Sequence, residues 1–485
     1  MIADIDYSMF WSILPEILLL VLALLVMLFD LLWPESRKRS LGLLAAAGLG
    51  VIILLTLIFS RPGDTEAEIL GGMIRNDWVS LVFRLLFLFA ALITSLISLD
   101  LKEAGDKGAY YAILLLATLG LSLMAASSDL IMIYLSVETA SLCLYLLAGY
   151  LRGDDKSTEA GIKYFLFGAF TSTVMLYGFS LLFGMGGETN IYALAGSLAA
   201  GAVPAAPLVI AAVLVLVGFG FKVAAVPFHF WTPDVYEGAP TPITAFISVA
   251  SKAAGFAVLV RVMLAVFPGV EDFWAPLIAA IAAATMTLGN LLALAQRNIK
   301  RMLAYSSIAH AGNALIGLAA LSNLGLAALV YYLMAYVLTN LAAFGVVIIF
   351  ARVAGSDQIA DYAGLSRRAP GLALAMAVAF LSLGGMPPLA GFFGKFYVFA
   401  AAVDSQKGLV WLAVVGVLNA IIGLYYYLTV LKVVYLYRSE KDDMRIPVPR
   451  AYSVALVVCM VGIILLGTIS APWFGWALRA AESLF

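Results

Sequence analysis

Charged residues are scarce in this chain, where Lys, Arg, Asp and Glu make up 12% of 485 residues and apolar residues make up 64%. A typical soluble domain has about 25% charged residues, so this chain has too little polar surface to be soluble at its size. No basic patch of the kind that binds nucleic acid is evident. We therefore expect an integral membrane protein without a nucleic-acid partner.

Cysteine and histidine are nearly absent, with two of each. Cys143 and Cys459 lie far apart in apolar runs, so they form neither a disulfide framework nor a CxxC site for a metal or cluster. His229 and His310 are the two candidates for bis-histidine haem ligation, and their surroundings differ. A phosphate loop and a dinucleotide fingerprint are also missing. The sequence predicts no cofactor and no metal in this chain.

Apolar runs of about 20 residues, enough to cross a bilayer as a helix, fill the chain. The first run follows Asp4 and Asp6 and lacks the cleavage site of a secretory signal, so we expect it to be retained as a span. The predicted spans are 11–33, 40–60, 78–99, 109–127, 130–150, 160–184, 207–236, 242–267, 273–295, 302–322, 325–350, 370–402, 409–437 and 452–470. They predict an all-α polytopic membrane protein with about 14 transmembrane helices.

Lysine and arginine alternate between rich and poor connections, as the positive-inside rule requires if every span is real. The odd-numbered connections contain Arg37, Lys38, Arg39, Lys102, Lys107, Arg152, Lys156, Lys163, Arg297, Lys300, Arg301, Arg352, Arg367, Arg368, Lys432, Arg438, Lys441, Arg445 and Arg450. The even-numbered connections and the tail contain Arg61, Arg75, Arg261, Lys407 and Arg479. This pattern predicts both termini on the outer side. The connection after the seventh span is an exception, because it has no Lys or Arg.

Two predicted spans, 207–236 and 370–402, are longer than one straight crossing requires. The first contains VAAVP, which ends at Pro227, and the second contains GGMPP, which ends with Pro387 and Pro388. Proline removes an amide donor and leaves an earlier carbonyl without its helical partner. Each long span is therefore predicted to be a discontinuous helix.

The broken helices are the seventh and twelfth predicted spans, so they lie five spans apart. This spacing predicts two inverted five-helix repeats, each with a discontinuous helix, as in many ion-coupled transporters. The predicted divisions are three N-terminal helices in 1–108, a first unit in 109–267, a second, inverted unit in 268–438 and a C-terminal helix in 439–485.

Five ionisable side chains lie deep inside predicted spans. Glu138 is nine residues into the fifth span, about 13 Å along a helix. Lys222, Lys252 and Lys395 are remote from the ends of their spans, and His310 is eight residues into the tenth. An unpaired charge at such depth costs about 2.5–3.5 kcal/mol, so these residues require an explanation.

The functional interpretation is a proton relay. Loss of water between helices allows lysine and glutamate to gain and lose protons near the working pH. If Glu138 pairs with Lys222, a helix movement that weakens the contact changes the proton affinity of the lysine. The alternative is a static buried ion pair that holds helices together. Several buried charges beside two broken helices favour the relay.

Three further residues have competing explanations. Lys163, near the inner end of the sixth span, is either a proton-uptake group or an ordinary interfacial cation. His229, just beyond Pro227, either handles protons or hydrogen-bonds the carbonyl that the break leaves free. Arg84 is only six residues into its span, so we expect it to snorkel in a structural role.

The longest motif, FKxxxxPFHxWxPDxYxGAPTP, begins at Phe221 and includes Lys222. Together with LSVETASLCLYLLAGY around Glu138, SKAAGF around Lys252 and GGMPPLAGFFGKFYVF around Lys395, it resembles the antiporter-like membrane subunits of respiratory complex I, the proton-pumping NADH:quinone oxidoreductase. The resemblance covers nearly the whole chain. One subunit type in this family has a long C-terminal lateral helix, and another typically has glutamate where this chain has Lys395. Both departures favour the third type.

The resemblance implies a proton channel with Glu138 and Lys222 as the working pair on the input side, Lys252 and His310 as connecting groups, and Lys395 as the outlet group. It also implies that NADH, FMN, iron–sulfur clusters and quinone bind to partner subunits. The implied partners are the neighbouring antiporter-like subunit and the small membrane subunits next to the quinone module. The implied location is the bacterial inner membrane.

Two rival functions remain open at this point. A cation/proton antiporter or a membrane-bound hydrogenase subunit has the same fold. A structural membrane scaffold is the other rival, and the buried charges disfavour it.

Overall fold

The computed structural model describes residues 8–63, 67–101, 103–201, 203–440 and 444–484. Asp4, Asp6, Lys102 and Lys441, which entered the sequence-based predictions, lie outside the described residues. The described part is a helical membrane protein, and twelve of its helices are long and apolar enough to cross a bilayer. The total of fourteen spans and their inverted repetition stay predictions.

The first half of the fold contains ten helices and a small hairpin. The helices are α1 Ser8–Ser12, α2 Leu14–Leu32, α3 Ser40–Phe59, α4 Trp78–Ile97, α5 Gly108–Ala126, α6 Leu130–Ala148, α7 Asp155–Gly186, α8 Ile191–Ala200, α9 Ala205–Val223 and α10 Trp231–Gly238. The antiparallel strands β1 Ala67–Ile69 and β2 Ile74–Asn76 form the hairpin between α3 and α4.

The second half of the fold contains eleven helices. They are α11 Thr241–Phe246, α12 Lys252–Val266, α13 Glu271–Leu294, α14 Ile299–Ala319, α15 Asn323–Ala354, α16 Leu365–Arg368, α17 Pro370–Gly384, α18 Ala390–Asp404, α19 Val410–Leu436, α20 Arg450–Thr468 and α21 Ser470–Glu482. A π-helical turn, Ile247–Ser251, joins α11 to α12, so these two segments continue as one span.

Capping side chains determine where several helices begin. The Asp129 carboxylate accepts hydrogen bonds from the amides of Ile131 and Met132 at 2.8 and 3.2 Å, and α6 starts after it. Such a cap satisfies amides that have no partner within the helix. Asp154 caps α7 in the same way. For this reason α7 begins five residues before the predicted start of the sixth span, which hydropathy alone does not reveal.

Both predicted helix breaks are confirmed. The helix α9 ends at Val223, Ala224 has a left-handed backbone with φ 59°, and regular helix resumes only at Trp231. The helix α17 ends at Gly384, Gly385 has φ 87°, and α18 begins at Ala390. The Val226–Pro227 and Pro387–Pro388 peptide bonds are cis.

The first span begins at Leu14, three residues after its predicted start, and a short separate helix precedes it. The short helix α1 ends at Ser12 and α2 begins at Leu14, with Ile13 between them at φ −107° and ψ 10°. Pro15 lies in the first turn of α2, where its missing amide removes no helical hydrogen bond. The proline therefore starts a new helix.

Four elements of the described chain had no counterpart in the predicted spans. They are the β1–β2 hairpin, α8, the one-turn helix α16 and the C-terminal helix α21, all too short to cross a bilayer. The helix α21 packs along α4 and α15, and the Arg479 guanidinium lies 4.9 Å from the centroid of the Trp78 ring. This helix covers the end of the bundle instead of adding a crossing.

Contacts between connections support the predicted alternation of sides. Asp100 forms ion pairs with Arg39 at 2.7 Å and with Arg352 at 2.6 Å, which brings the first, third and eleventh connections to one end of the bundle. At the other end, the Asn190 amide nitrogen donates to the Gly72 carbonyl at 2.8 Å, which joins the sixth connection to the second. In these contacts, odd-numbered connections touch one another at one end, and even-numbered connections touch one another at the other end.

The centre of the bundle is formed by α11, α12 and α15. Every residue from 242 to 263 is buried, and α15 is buried along almost its whole length. The outer helices α2, α3, α7 and α19 expose large apolar side chains such as Leu24, Leu54, Phe170 and Leu418. The buried polar groups described below therefore lie inside a shell whose outer surface suits lipid.

Candidate functional site

Lys222 lies in the last turn of α9, one residue before the first break, and is 4% exposed. Its Nζ donates a hydrogen bond to Ser141 Oγ at 2.6 Å. A lysine near a helix C-terminus also benefits from the negative end of the helix dipole. The break and the serine on α6 together hold this buried ammonium group.

Glu138 is half-buried on α6, three residues before Ser141 and on the same side of the helix. Its Oε1 atom is buried without a hydrogen-bond partner. The described residues show no ion pair between Glu138 and Lys222, since the lysine binds Ser141 instead. The two groups therefore share a neighbourhood, and a serine hydroxyl occupies the contact that the sequence suggested for the carboxylate.

Lys252 is the first residue of α12, directly after the π-helical turn, and is 2% exposed. Its Nζ donates to Ser307 Oγ on α14 at 2.6 Å and lies 5.7 Å from the centroid of the Tyr236 ring. Ser307 Oγ is also 3.3 Å from Tyr236 OH. Single π turns inside helices occur frequently at functional sites, and this one places the lysine against α14.

His310 is buried on α14 between two tyrosines. Its Nδ1 is 2.5 Å from Tyr332 OH, and its Nε2 is 3.2 Å from Tyr427 OH. Tyr427 OH also hydrogen-bonds Ser306, and the imidazole ring lies 5.2 Å from the ring of Tyr336. Both ring nitrogens therefore have hydroxyl partners that can donate or accept.

Lys395 lies on α18 beside the second break and is 7% exposed. Its Nζ donates to the Leu383 carbonyl at 2.8 Å and to the Gly384 carbonyl at 3.1 Å. These carbonyls belong to the last turn of α17, where the helix leaves them without intrahelical partners. The second break thus supplies the oxygen atoms that bind the lysine.

A small cavity, about the size of one water molecule, lies between His310 and the second break. Its lining residues are His310, Tyr332, Ala335, Tyr336, Thr339, Ser382, Leu383, Gly391 and Gly394. The carbonyl of Leu383, one of these residues, accepts a hydrogen bond from Lys395. The cavity therefore connects the histidine to the lysine site.

Several buried polar atoms along the same route have no hydrogen-bond partner among the described residues. They are Tyr164 OH, Thr232 Oγ1, Ser251 Oγ, Asn313 Oδ1, Tyr336 OH and Asn340 Oδ1. Buried polar groups are normally satisfied by protein or by ordered water. Their distribution beside Lys252 and His310 indicates positions where water completes the hydrogen bonds.

Trp231 and Thr285 bind backbone groups at the first break. Trp231 Nε1 donates to the Phe221 carbonyl at 3.1 Å, and the Val226 amide donates to Thr285 Oγ1 at 3.0 Å. His229 Nδ1 is buried without a hydrogen-bond partner. Trp231, which the sequence analysis had not singled out, therefore binds a backbone carbonyl at this break.

Lys163 belongs to an ion network at the end of the bundle that carries the odd-numbered connections. It pairs with Asp234 at 2.5 Å and with Glu159 at 2.6 Å. Arg301 pairs with Asp234 at 3.0 Å and with Glu237 at 2.9 Å. Sequence reasoning missed both acids of α10, although the absence of cations in the seventh connection was the available signal. The acids attract cations from neighbouring connections instead.

Arg84 does not snorkel, which corrects the expectation from its position. It is fully buried, and its Nε is 2.8 Å from Glu16 Oε1. Arg261, which was assigned to a connection, is also fully buried in α12 and pairs with Asp77 at 2.7 Å. These two arginines are static ion pairs, because each guanidinium has a carboxylate in direct contact.

Comparison with known proteins identifies the family of this chain. The family described as "NADH:quinone oxidoreductase/Mrp antiporter, TM" matches residues 127–423. The NADH-quinone oxidoreductase subunit N of Moorella thermoacetica is 44% identical over 475 residues, which cover 97% of this chain and 98% of that protein. The chain belongs to the subunit N family. The subunit type that the sequence favoured is therefore confirmed.

Solved structures agree with membership in the subunit N family. A chain of respiratory complex I from Thermus thermophilus with bound aureothin is 34% identical, with a TM-score of 0.79 over 95% of this chain and 98% of that chain. A chain of the Mrp complex from a Dietzia species is 21% identical, with a TM-score of 0.85 over 99% and 98%. The second likeness shows a shared fold.

Proposed function

We propose that this chain is the proton-translocating membrane subunit of an NADH:quinone oxidoreductase and that its buried lysines carry the proton. The observation that supports the relay is the chemistry of their partners. Within the described part of the chain, Lys222, Lys252 and Lys395 bind hydroxyl or carbonyl oxygens and no carboxylate. A buried cation that only holds helices together is usually paired with a carboxylate, as Arg84 and Arg261 are.

Neutral partners permit the lysines to change protonation state. A serine hydroxyl accepts a hydrogen bond from an ammonium group and can donate one to a neutral amine. Ser141 and Ser307 therefore remain partners of Lys222 and Lys252 in both states. A carboxylate partner would hold the proton on the lysine far more strongly. The absence of carboxylate partners at these three lysines, within the described residues, also disfavours a purely structural scaffold.

The proposed order of transfer follows the family assignment. Glu138 and Lys222 form the input side, Lys252 and His310 connect the two halves, and Lys395 is the outlet group. The contacts of Lys252 with Ser307 and of His310 with two tyrosines provide hydroxyl groups along the central part. Lys163 is proposed as a group at the inner mouth, and His229 as a secondary site beside Pro227.

The proposed division into units follows the two breaks. The segment 109–267 contains α9 with Lys222 before its break, and 268–438 contains α18 with Lys395 after its break. We assign 1–108 as the N-terminal helices and 439–485 as the C-terminal part. The proposed location is the bacterial inner membrane, with both termini on the outer side.

The proposed partners are the neighbouring antiporter-like subunit and the small membrane subunits next to the quinone module. In this proposal NADH, FMN, iron–sulfur clusters and quinone belong to partner subunits, and this chain contributes proton transport. The rival antiporter function predicts purification without flavin and iron–sulfur subunits. Co-purification of those subunits with this chain supports the oxidoreductase.

The test of the relay is Lys222→Ala in the assembled complex. Proton pumping into sealed vesicles should fall together with coupled quinone reduction, because the methyl group cannot hold a proton at the first break. Lys407→Ala is the matched control, since Lys407 lies in an exposed connection and pairs with Glu271 at 3.0 Å. Full pumping by an assembled Lys222→Ala complex would reject the relay.

A further inference from the structure

A second cavity lies outside the proton route, between the N-terminal ends of α17 and α20. It has a volume of about 580 Å³, and one part of it, called the upper part below, is lined by the segment 367–372 together with Arg445, Ile446 and Val448. Both sets of residues belong to odd-numbered connections, which the charge pattern places on the inner side. The proposed relay uses none of these residues, so the cavity needs a separate explanation.

Arg368 is a buried arginine in the wall of this cavity. Its side chain is 6% exposed and lines the cavity. Its Nε donates to the Met444 carbonyl at 3.3 Å, but neither Nη1 nor Nη2 has a hydrogen bond or ion pair to the described residues. A guanidinium has five donor hydrogens, and four of them are on Nη1 and Nη2. The free donors open into the cavity, where a ligand oxygen would satisfy them.

Two helix N-termini add positive potential at the same place. The helix α17 begins at Pro370 and α20 begins at Arg450, and neither has a side-chain cap hydrogen bond. The first-turn residues Gly371 and Leu372 line the cavity. Uncapped first-turn amides and the helix dipole favour an anion. Arg445, which is exposed and also lines the cavity, contributes a second guanidinium.

The lower part of the cavity is apolar. Leu456, Val457 and Met460 of α20 form its wall. Met460 is ten residues beyond the start of α20, about 15 Å along the helix axis, so the wall extends towards the hydrocarbon region. A small inorganic anion would use only the upper part. A ligand that uses the whole cavity has an anionic head and an apolar tail.

We propose that this cavity binds an anionic phospholipid, with its phosphate at Arg368 and Arg445 and one acyl chain along Val457 and Met460. Arginine binds phosphate through paired, charge-assisted hydrogen bonds. The inner leaflet is the one that carries an excess of anionic lipid. Both the charge of the upper part and the depth of the apolar wall agree with this occupant.

The experiment places the whole complex in nanodiscs that contain phosphatidylglycerol with a photoreactive group in its acyl chain. Mass spectrometry then measures labelling of the α20 peptide that contains Val457 and Met460. The double variant Arg368→Gln/Arg445→Gln should reduce labelling about tenfold or more, because each arginine near the surface strengthens binding of an anionic lipid several-fold. Arg438→Gln, an exposed arginine of the same connection outside the cavity lining, should leave labelling unchanged.

A second variant tests the apolar wall without changing charge. Val457→Trp fills the lower part of the cavity and should reduce labelling while the complex stays assembled. Equal labelling by photoreactive phosphatidylcholine, or labelling that the arginine variant does not change, overturns the proposal. Displacement by millimolar inorganic phosphate together with no effect of Val457→Trp assigns the site to free phosphate. No labelling of wild-type complex means that a partner subunit occupies the cavity.

Discussion

At the scale of single residues, the buried cations fall into two chemical groups. The arginines Arg84 and Arg261 contact carboxylates, whereas the lysines contact serine hydroxyls or backbone carbonyls. Arginine remains charged under all relevant conditions, while a desolvated lysine can lose its proton. Arginine, whose charge is permanent, is therefore found where an ion pair holds two helices together. Lysine, which can exchange its proton, is found along the proposed relay.

Glu138→Gln should impair proton pumping while leaving assembly intact. Oε1 has no hydrogen-bond partner, so an amide of the same size removes the exchangeable proton with little change in packing. Pumping and the amount of assembled complex are measured on the same membranes. Glu35→Gln, an exposed acid paired with Lys38, is the control. Loss of assembly in Glu138→Gln would instead support a static ion pair.

Arg84→Met should destabilise the complex without abolishing turnover of the complexes that assemble. The substitution leaves Glu16 buried without its guanidinium, and breaking a buried ion pair costs about 3–5 kcal/mol. Thermal inactivation and activity per assembled complex measure the two effects separately. The double variant Glu16→Gln/Arg84→Met should recover much of the lost stability. A pumping defect that the double variant does not relieve would place Arg84 in the relay.

At the scale of elements, the two broken helices use their free backbone groups differently. At the first break, Trp231 binds the Phe221 carbonyl and Lys222 binds Ser141. At the second break, Lys395 itself binds the carbonyls at the end of α17. The proline-containing segments were predictable, because proline acts locally on the backbone. Which side chain reaches the free carbonyls depends on how neighbouring helices pack.

Gly385→Ala should reduce pumping through the second break. Gly385 has φ 87°, a conformation that costs a residue with a Cβ about 1–2 kcal/mol, and an added Cβ would lie 3.0 Å from Lys395 Cδ. The lysine would be displaced from its carbonyl partners. Pumping per assembled complex is the measurement, and Gly196→Ala, where an added Cβ meets no atom within 4 Å, is the control. Normal pumping would show that the break does not position Lys395.

At the scale of the whole molecule, the ion network at the end with the odd-numbered connections joins the two proposed units. Lys163 and Glu159 are on α7, Asp234 and Glu237 are on α10, and Arg301 is on α14. The residues of each pair are close in space, although Arg301 and Asp234 lie 67 positions apart in the chain. Such a network resists separation of α14 from α7 and α10. Partial exposure limits what it contributes to stability.

Arg301→Gln should lower the free energy of unfolding by roughly 1 kcal/mol, since it removes two ion pairs. Salt screens exposed charges, so the wild-type complex should lose more stability than the variant as ionic strength rises. Thermal inactivation at low and high salt measures this difference. Arg297→Gln, an exposed arginine of the same connection, is the control. An equal salt response in Arg301→Gln and wild type would contradict a stabilising network.

The sequence by itself indicated a helical membrane protein, its two helix breaks and the burial of Lys222, Lys252, His310 and Lys395. These properties depend on local hydropathy, on proline and on distance along a helix. Tertiary structure alone decided that Ser141 binds Lys222, that Arg84 pairs with Glu16, and that α10 gathers cations from other connections. Those contacts depend on how each helix rotates and packs against helices distant in sequence, which periodicity within one helix does not specify.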